Sequence, residues 1–274
     1  LHLIRNAIDH GIETPDEQTF VSRAVETLER CIATAIDERG RCILGLSGGK
    51  TPRPIYSGVA ASRNIDWDKV DVFLVDERFV PPDHEESNFR MIQETLLSRL
   101  PSPPLQILPD TTLPLAACVK AYDERLKDLF REGRTADVVT LGMGDDGHIA
   151  SLFPPVPDEA FGDARAIYGI QDRFAVRDRI SVTLPCLTPA RCQLFLLSGT
   201  AKAALWDEMA SAERDPHRWP AHALLETGRV TLLLQASTDA SAGGTNHPPV
   251  EFPPPRGSPP PGDPPVMCAA AAPA

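Results

Sequence analysis

One short segment combines the residue types that proton transfer requires. Gly142-Met143-Gly144-Asp145-Asp146-Gly147-His148 places a histidine two residues after an aspartate in a glycine-rich turn. Imidazole is the side chain whose ordinary pKa lets it accept and return a proton near pH 7, so His148 is the candidate general base. Asp146 could orient the ring or stabilise its charged form. An alternative stays open in which His148 caps a helix start and Asp146 binds backbone amides.

A second segment has the composition of an anion-binding turn. In Ser47-Gly48-Gly49-Lys50-Thr51 the adjacent glycines let backbone N–H groups turn toward a phosphate, and a helix that begins near Pro52 or Pro54 adds its positive end. Thr51 could supply a hydroxyl group, and Lys50 could supply a charge or point to solvent. The same residues would also suit a plain strand-to-helix turn that uses glycine only for its geometry.

Two cations follow other apolar runs of the chain. Arg78 comes just after the run at residues 70–75, where its guanidinium could bind a phosphate through two parallel hydrogen bonds, or could pair with Asp76 or Glu77. Lys202 falls in the first turn of a predicted helix, where the helix dipole disfavours a cation. That position suggests a ligand for Lys202, although a solvated surface lysine is the alternative.

Two literal motif matches point to other chemistry and are disfavoured. Gly45-Leu46-Ser47-Gly48-Gly49 fits the G-x-S-x-G nucleophile elbow of serine hydrolases. That elbow normally follows several strands, whereas at most two precede this one. Gly142-Met143-Gly144-Asp145-Asp146-Gly147 fits G-x-G-x-x-G, but its two aspartates would repel a dinucleotide pyrophosphate.

The elements that must position these residues alternate along the chain. Short apolar runs predict buried strands at residues 42–46, 70–75, 138–141, 180–184, 194–197 and 230–234. Helical spacing predicts helices from Thr14-Pro15-Asp16-Glu17 to Gly40 and at residues 55–61, 89–100, 115–130 and 201–210. Continuous rather than alternating hydrophobicity indicates strands that are covered on both sides. We therefore predict an α/β fold with a mainly parallel, doubly wound (Rossmann-like) sheet and helices on both faces.

The four candidate segments share one position relative to this sheet. The glycine turn, Arg78, His148 and Lys202 each come just after one of the predicted strands. In open parallel sheets, ligands bind outside the carboxyl ends of the strands. We therefore expect these side chains along a single edge of the sheet.

Composition excludes several classes of function. The 274 residues carry 27 basic and 38 acidic side chains, a net charge of −11, which disfavours a nucleic-acid partner. No apolar run approaches the roughly 18 residues of a membrane span, so no membrane is expected. Six scattered cysteines without a Cys-x-x-Cys pair predict neither a metal site nor disulfides, and favour the cytoplasm.

The composition changes once, after Leu234. Residues 1–234 are expected to form one domain, and residues 235–274 a Pro/Ala-rich disordered tail or a sequence artefact. The first residue is Leu1 rather than Met, which suggests a trimmed start or a fragment.

Four motifs together match a known family in order and sequence. They are Leu46-Ser47-Gly48-Gly49-Lys50-Thr51-Pro52, Val75-Asp76-Glu77-Arg78-Phe79-Val80-Pro81 with Ser87-Asn88, Leu141-Gly142-Met143-Gly144-Asp145-Asp146-Gly147-His148-Ile149-Ala150-Ser151-Leu152-Phe153-Pro154 and Gly199-Thr200-Ala201-Lys202. On these motifs the chain resembles the 6-phosphogluconolactonase family over about residues 1–234. That family shares a superfamily with the glucosamine-6-phosphate deaminases.

The resemblance implies a reaction and a set of site residues. It implies hydrolysis of 6-phospho-D-glucono-1,5-lactone to 6-phosphogluconate, the second step of the oxidative pentose phosphate pathway, with no cofactor and no metal. His148 would activate water, with Asp146 as the aspartate of the same motif. The implied phosphate-binding positions are Gly48, Gly49, Lys50, Thr51, Arg78 and Lys202, and Lys50 stands where serine is common. The implied partner is a small-molecule sugar phosphate, and the expected state is a monomer or a weak homo-oligomer.

Two other functions remain as alternatives. A glucosamine-6-phosphate deaminase-like isomerase is disfavoured because Ala150-Ser151-Leu152-Phe153-Pro154 and Asp76-Glu77-Arg78 resemble the lactonase branch. A deaminase would also need a carboxylate shortly after His148. A non-catalytic sugar-phosphate sensor would usually carry a DNA-binding module, and no helix-turn-helix segment with a basic recognition helix is apparent in the sequence.

Overall fold

Seven parallel strands form the main sheet of this computed structural model, which describes residues 12–14 and 16–235. The predicted tail lies outside the described residues except for Gln235, which ends the last strand. The strands are β1 (Ile12–Thr14), β2 (Cys42–Leu46), β3 (Val70–Leu74), β4 (Asp76–Arg78), β5 (Leu105–Ile107), β6 (Val138–Leu141), β7 (Ala166–Ile170), β8 (Asp178–Val182), β9 (Cys192–Ser198) and β10 (Val230–Gln235). The helices are α1 (Glu17–Arg39), α2 (Pro52–Ala61), α3 (Asn88–Thr95), α4 (Leu115–Leu129), α5 (Leu184–Leu187), α6 (Thr200–Ser211) and α7 (Ala221–Leu225).

The order of the main sheet confirms the predicted fold class. The strands run β1-β10-β9-β6-β2-β3-β5, and every neighbouring pair is parallel. Such connections need crossovers, which the intervening helices supply. All carboxyl ends therefore meet at one edge.

Alternate side chains of the central strands enter two separate hydrophobic cores. In β9, Phe195 packs in one core with α4 and α6, while Leu196 packs in the other with α1 and α2. Ile43 and Leu44 of β2 divide in the same way. Burying a side chain of this size contributes about 1.5–3 kcal/mol, so both sheet faces are strongly covered. This is the reason for the continuous hydrophobic runs in the sequence.

A second, three-stranded antiparallel sheet was not predicted. It has the order β4-β8-β7, with Arg78 opposite Arg179 in the first pair. The expectation that residues 180–184 form a strand of the parallel sheet is wrong, because β8 lies in this small sheet. Hydrophobic content alone does not define strand direction. As a consequence, Arg78 is held on a strand rather than in a loop.

The ends of α1 follow local capping chemistry. The predicted start at Thr14 is wrong, because Thr14 ends β1 and Asp16 is the N-cap, accepting a hydrogen bond from the Thr19 N–H at 2.8 Å. Gly40, with φ of +78°, ends the helix as predicted. Helix α2 begins at Pro52, one of the two expected positions. None of the helices in the described residues is long and apolar enough to cross a membrane.

Candidate active site

A cleft of about 240 Å³ opens at the carboxyl edge of the main sheet. All four candidate segments contribute to its wall. The lining includes Gly48, Gly49, Lys50, Thr51, Asp76, Arg78, Asn88, Gly144, His148 and Lys202. Asp146 is not part of the lining and contacts His148 from behind. The parallel topology thus brings together residues that are more than 150 positions apart in the chain.

The carboxylate of Asp146 holds the imidazole of His148. Its Oδ1 accepts hydrogen bonds from Nδ1 of His148 at 2.5 Å and from the His148 backbone N–H at 3.2 Å. Partial burial acts to raise the pKa of Asp146, but the hydrogen bond and charge of His148, followed by Arg173, outweigh it and lower the pKa. An ionised Asp146 can only accept, so Nδ1 carries the hydrogen and Nε2 remains the basic nitrogen.

The turn that carries this pair is tight. The Gly144 N–H donates to the His148 carbonyl at 2.8 Å, and the Gly147 N–H donates to the Gly144 carbonyl at 3.0 Å. A Cβ atom at residue 144 would lie 1.9 Å from Cε1 of His148, so only glycine leaves room for the ring. Gly147 has φ of +86° and a Cβ there would meet Trp219. The glycines of this motif therefore position the imidazole by close packing.

Aromatic rings cover the other side of His148. The rings of Phe153 and Phe174 lie 4.6 Å and 6.1 Å from the imidazole, centroid to centroid. The His148 side chain remains 17% exposed. The imidazole therefore lines the cleft in a partly apolar environment.

The glycine turn after β2 leads directly into α2. Gly49 has φ of +102°, a value that glycine adopts readily. A Cβ atom at Gly48 would lie 1.8 Å from Oδ1 of Asn88, so the turn needs glycine to approach this side chain. Thr51 makes no side-chain cap bond to α2, and Lys50 is exposed. Gly48, Gly49, Lys50 and Thr51 all line the cleft, so the turn supplies it with the residue types of an anion site.

Asn88 connects Arg78 to Asp76. Nη1 of Arg78 donates to Oδ1 of Asn88 at 2.7 Å and to the Glu86 carbonyl at 2.8 Å. Nδ2 of Asn88 donates to the Asp76 carbonyl at 2.9 Å, and Ser151 Oγ donates to Oδ2 of Asp76 at 2.7 Å. Arg78 is thus held by neutral acceptors rather than by the predicted alternative of an ion pair with Asp76 or Glu77.

Glu77 is a buried carboxyl that binds backbone N–H groups of both β4 and α3. It is 2% exposed and accepts from the backbone N–H groups of Arg78, Asn88 and Phe89, each at 2.7 Å. Burial raises the pKa of this carboxyl to about 7, although the three backbone hydrogen bonds oppose the shift. Glu77 therefore joins the N-terminus of α3 to the strand that carries Arg78.

Lys202 lies in the first turn of α6, as predicted. Its Nζ pairs with Oδ1 of Asp145, which is 91% exposed. The hydrogen bond and charge of Lys202 lower the pKa of Asp145. Lys202 itself lines the cleft and is only a quarter exposed. An incoming anion would compete for this cation only with a well-solvated carboxylate.

The two disfavoured motifs do not have the required contexts. Ser47 is 6% exposed, and its hydroxyl lies 3.4 Å from the Thr140 hydroxyl rather than beside an imidazole. The glycine segment after β6 forms a tight turn, and the next helical residues of the described chain are the 3-10 turn Asp158–Phe161. A dinucleotide fingerprint would need a helix that starts at the glycines.

Several side chains around the site could not be identified from the sequence. Arg173 pairs with Asp146 at 2.6 Å, and Arg179 lies next to Arg78. With Phe174, they come from the β7–β8 hairpin, whose sequence carries no motif. Asn88 belongs to the second motif of the resemblance, but its role as a connector between Arg78 and Asp76 depends on folding.

Comparisons with known proteins agree with this geometry. The model of the family described as glucosamine-6-phosphate isomerases/6-phosphogluconolactonase matches residues 15–233. A 6-phosphogluconolactonase of Synechocystis sp. is 34% identical over 242 residues, which are 85% of this chain and 96% of the relative. The solved structure of 6-phosphogluconolactonase from Plasmodium vivax is similar with a TM-score of 0.76 at 28% identity, over 84% of this chain and 91% of that one. The solved structure of 6-phosphogluconolactonase from Thermotoga maritima is similar with a TM-score of 0.70 at 27% identity, over 83% of this chain and 99% of that one. The chain therefore belongs to the 6-phosphogluconolactonase family.

Proposed function

We propose that this protein hydrolyses 6-phospho-D-glucono-1,5-lactone to 6-phosphogluconate, with His148 as the general base. The observation that carries the proposal is the pairing of His148 with an ionised Asp146 at a cleft that is also lined by the glycine turn after β2. Membership of the family supports the same reaction, because the relatives that match are named for it. The reaction is the second step of the oxidative pentose phosphate pathway, and it requires no cofactor.

The chemistry assigned to His148 is a proton relay. Nε2 takes a proton from water while the water oxygen attacks C1 of the lactone, which gives a tetrahedral oxyanion. When the bond between C1 and the ring oxygen breaks, the imidazolium returns the proton to that oxygen. The product is the open-chain acid. Asp146 stabilises the positive charge that His148 carries between the two transfers.

Other residues that line the cleft are suited to the phosphate. We assign its binding to the N–H groups of Gly48 and Gly49, the hydroxyl of Thr51 and the cations Lys50, Arg78 and Lys202. A local excess of positive charge is needed because the whole chain carries a net charge of −11. Holding the phosphate at a fixed distance from His148 would place C1 beside the base.

The alternatives are less well supported by the same geometry. Ser151, three residues after His148, donates its hydroxyl hydrogen to Asp76, and the residues that follow His148 directly provide no carboxylate for a deaminase. A non-catalytic sugar-phosphate sensor would not need the partly buried hydrogen bond between Asp146 and the imidazole. We also assign the enzyme to the cytoplasm, from its scattered thiols, and take residues 1–234 as the catalytic domain.

The proposal is tested by comparing wild type with His148→Asn in a time course of lactone disappearance, after subtraction of spontaneous hydrolysis. General-base catalysis typically supplies about 10²–10⁴-fold, so kcat should fall by a factor of that order. Binding of 6-phosphogluconate, measured by calorimetry, should stay within about threefold of wild type because the phosphate contacts remain. Turnover by His148→Asn close to wild type would reject the assignment. Binding by the wild type without turnover would favour the sensor.

A further inference from the structure

Arg179 and Arg78 form an arginine pair on one face of the small sheet. They are direct partners across β8 and β4, so their side chains leave the sheet on the same side. Asp76 and Ser181 are the next pair on this face. Both contact Ser151, Asp76 through its carboxylate and Ser181 through its hydroxyl. The arginine pair therefore faces the loop that follows His148.

The Arg179 guanidinium is buried, and it forms no ion pair within 4.0 Å among residues 12–14 and 16–235. The residue is 7% exposed, and its Nε has no hydrogen-bond partner in the part of the chain that the structure describes. Burial and the charge of Arg78 lower the pKa of Arg179, and nearby carboxylates offset this only in part. Of those carboxylates, Asp76 accepts from Ser151 and Asn88, Glu77 accepts from backbone N–H groups, and Glu86 is exposed to solvent.

The surroundings hold Arg179 in place rather than let it reach water. Its guanidinium lies 5.2 Å from the centroid of Phe174, the ring that also packs beside His148. On the next strand, Gly169 is its partner, and a Cβ atom there would lie 3.7 Å from Cβ of Arg179 and 2.8 Å from the Ser151 carbonyl. A long flexible cation is thus confined between a ring and a strand, close to a second cation.

Two neighbouring guanidinium groups, one of them buried with an unpartnered Nε, favour an external anion. A buried charge that lacks a partner destabilises the fold, and a like charge beside it adds to the penalty. A phosphate dianion offers three oxygens and can accept from two guanidinium groups at once. Arg78 uses Nη1 for both of its protein contacts, so its other nitrogens can serve a ligand.

We propose that Arg179 is a second guanidinium of the phosphate subsite, which acts with Arg78 to bind the phosphate of the lactone. This inference rests on the proposed function, because it takes the ligand to be a sugar phosphate. Neither the sequence motifs nor the resemblance assigns Arg179 a role. With the phosphate bound, both guanidinium charges are neutralised, and Phe174 shields the contact from water.

The test compares Arg179→Met, which removes the charge at similar size, with Arg179→Lys and with Arg177→Met as a matched control. Arg177 lies on the same hairpin, is half exposed and pairs with Asp172 and Asp178 away from the cleft. For each variant we would measure kcat and KM with 6-phosphogluconolactone and with unphosphorylated glucono-1,5-lactone. Calorimetry with 6-phosphogluconate and with inorganic phosphate gives Kd, and thermal unfolding without ligand gives Tm.

For Arg179→Met we expect KM for the phosphorylated lactone and Kd for both phosphate ligands to rise about 10–100-fold. This is the usual loss of affinity when a hydrogen bond to a charged group is removed. The kcat/KM for the unphosphorylated lactone should stay within about twofold. Tm should equal or exceed that of wild type, since a buried unpaired charge has been removed. Arg179→Lys should show an intermediate Kd, because a point charge replaces a planar fork. Arg177→Met should match wild type.

Two results would overturn the inference. One is an unchanged Kd for phosphate in both Arg179 variants. The other is an equal loss with both lactones, which would indicate a contact to the reacting carbonyl or a structural role. If wild type bound phosphate but hydrolysed no lactone, the proposed function would fail while the Kd values still decided the role of Arg179. If wild type hydrolysed the lactone and Kd was unchanged in Arg179→Met, only the role of Arg179 would fail.

Discussion

Oδ1 of Asp146 lies 2.5 Å from Nδ1 of His148, and Oδ2 of the same carboxylate lies 2.6 Å from the guanidinium of Arg173. The carboxylate is therefore held by two cationic or potentially cationic partners and keeps a lowered pKa. This relationship orients the imidazole and decides which of its nitrogens faces the cleft as a base.

Replacing Asp146 with asparagine should lower kcat while leaving the fold intact. The asparagine amide can donate to Nδ1, which would place the hydrogen of the ring on Nε2 and remove the base from the cleft. A loss of about 10²–10⁴-fold in kcat is expected, as for other orienting aspartates. The neighbouring Asp145→Asn is the comparison, since Asp145 contacts Lys202 and should act on KM. Equal kcat for the two variants would contradict the role assigned to Asp146.

Replacing Gly144 with alanine should displace the imidazole without removing any functional group. The added Cβ atom would lie 1.9 Å from Cε1 and 2.0 Å from Nδ1 of His148, so the ring must move. Because a misplacement of about 1 Å can cost about 10²-fold, kcat should fall by that order, with KM nearly unchanged. Gly162→Ala serves as the matched control, since its nearest contact would be an ordinary 3.6 Å. Steady-state kinetics and a circular dichroism spectrum of each variant decide the matter, and wild-type kcat in Gly144→Ala would show that the ring has room to adapt.

The sequence allowed the main sheet and the position of the cleft to be predicted because both depend on local signals. Strands such as residues 138–141 are continuous apolar runs, and each is followed by its own polar or glycine-rich segment. Parallel order then places these segments at one edge without any knowledge of contacts. The cleft that holds Gly48, Arg78, His148 and Lys202 is the result.

The small sheet and its side chains could not be predicted in this way. Whether β8 pairs with the main sheet or with β4 depends on partners about 100 residues away, and its apolar run has no directional signal. Nothing in the sequence distinguishes Arg179 from other charged residues beside an apolar run. The contact of Asn88 with Gly48 spans 40 positions and its hydrogen bond to Arg78 spans 10, and only the folded chain brings the three residues together.

Asn88→Asp is expected to weaken phosphate binding at nearly constant size. The change replaces the amide donor that bonds to the Asp76 carbonyl at 2.9 Å with an acceptor, and it adds a negative charge beside Arg78. Repulsion from Asp76 and partial neutralisation of Arg78 should raise Kd for 6-phosphogluconate about 10–100-fold. Calorimetry measures this, with Asn64→Asp at an exposed position as the control. A Kd within about twofold of wild type would mean that Asn88 does not support Arg78.

The buried carboxyl of Glu77 should make stability depend on pH between about 4.5 and 7. Burial raises its pKa from 4.5 to about 7 in the folded protein. In this window the folded protein keeps the proton that the unfolded chain has released, so the free energy of unfolding falls as pH rises. The contribution is fully present below about pH 4.5 and is lost above about pH 7. Its size is about 3 kcal/mol at most, from 1.36 kcal/mol for each pKa unit.

Denaturant unfolding of wild type and Glu77→Gln at several pH values from 4.5 to 8 measures this contribution. The glutamine cannot titrate, so the free energy of unfolding of wild type minus that of Glu77→Gln should fall as pH rises from 4.5 to 7. Asp146 does not disturb the comparison, because its lowered pKa acts below the window and is common to both proteins. Glu124 is an exposed glutamate on α4, and Glu124→Gln is the control. Its plot of the free energy of unfolding against pH should run parallel to that of wild type. Parallel curves for wild type and Glu77→Gln would show that Glu77 is ionised throughout, with its three backbone N–H groups outweighing burial.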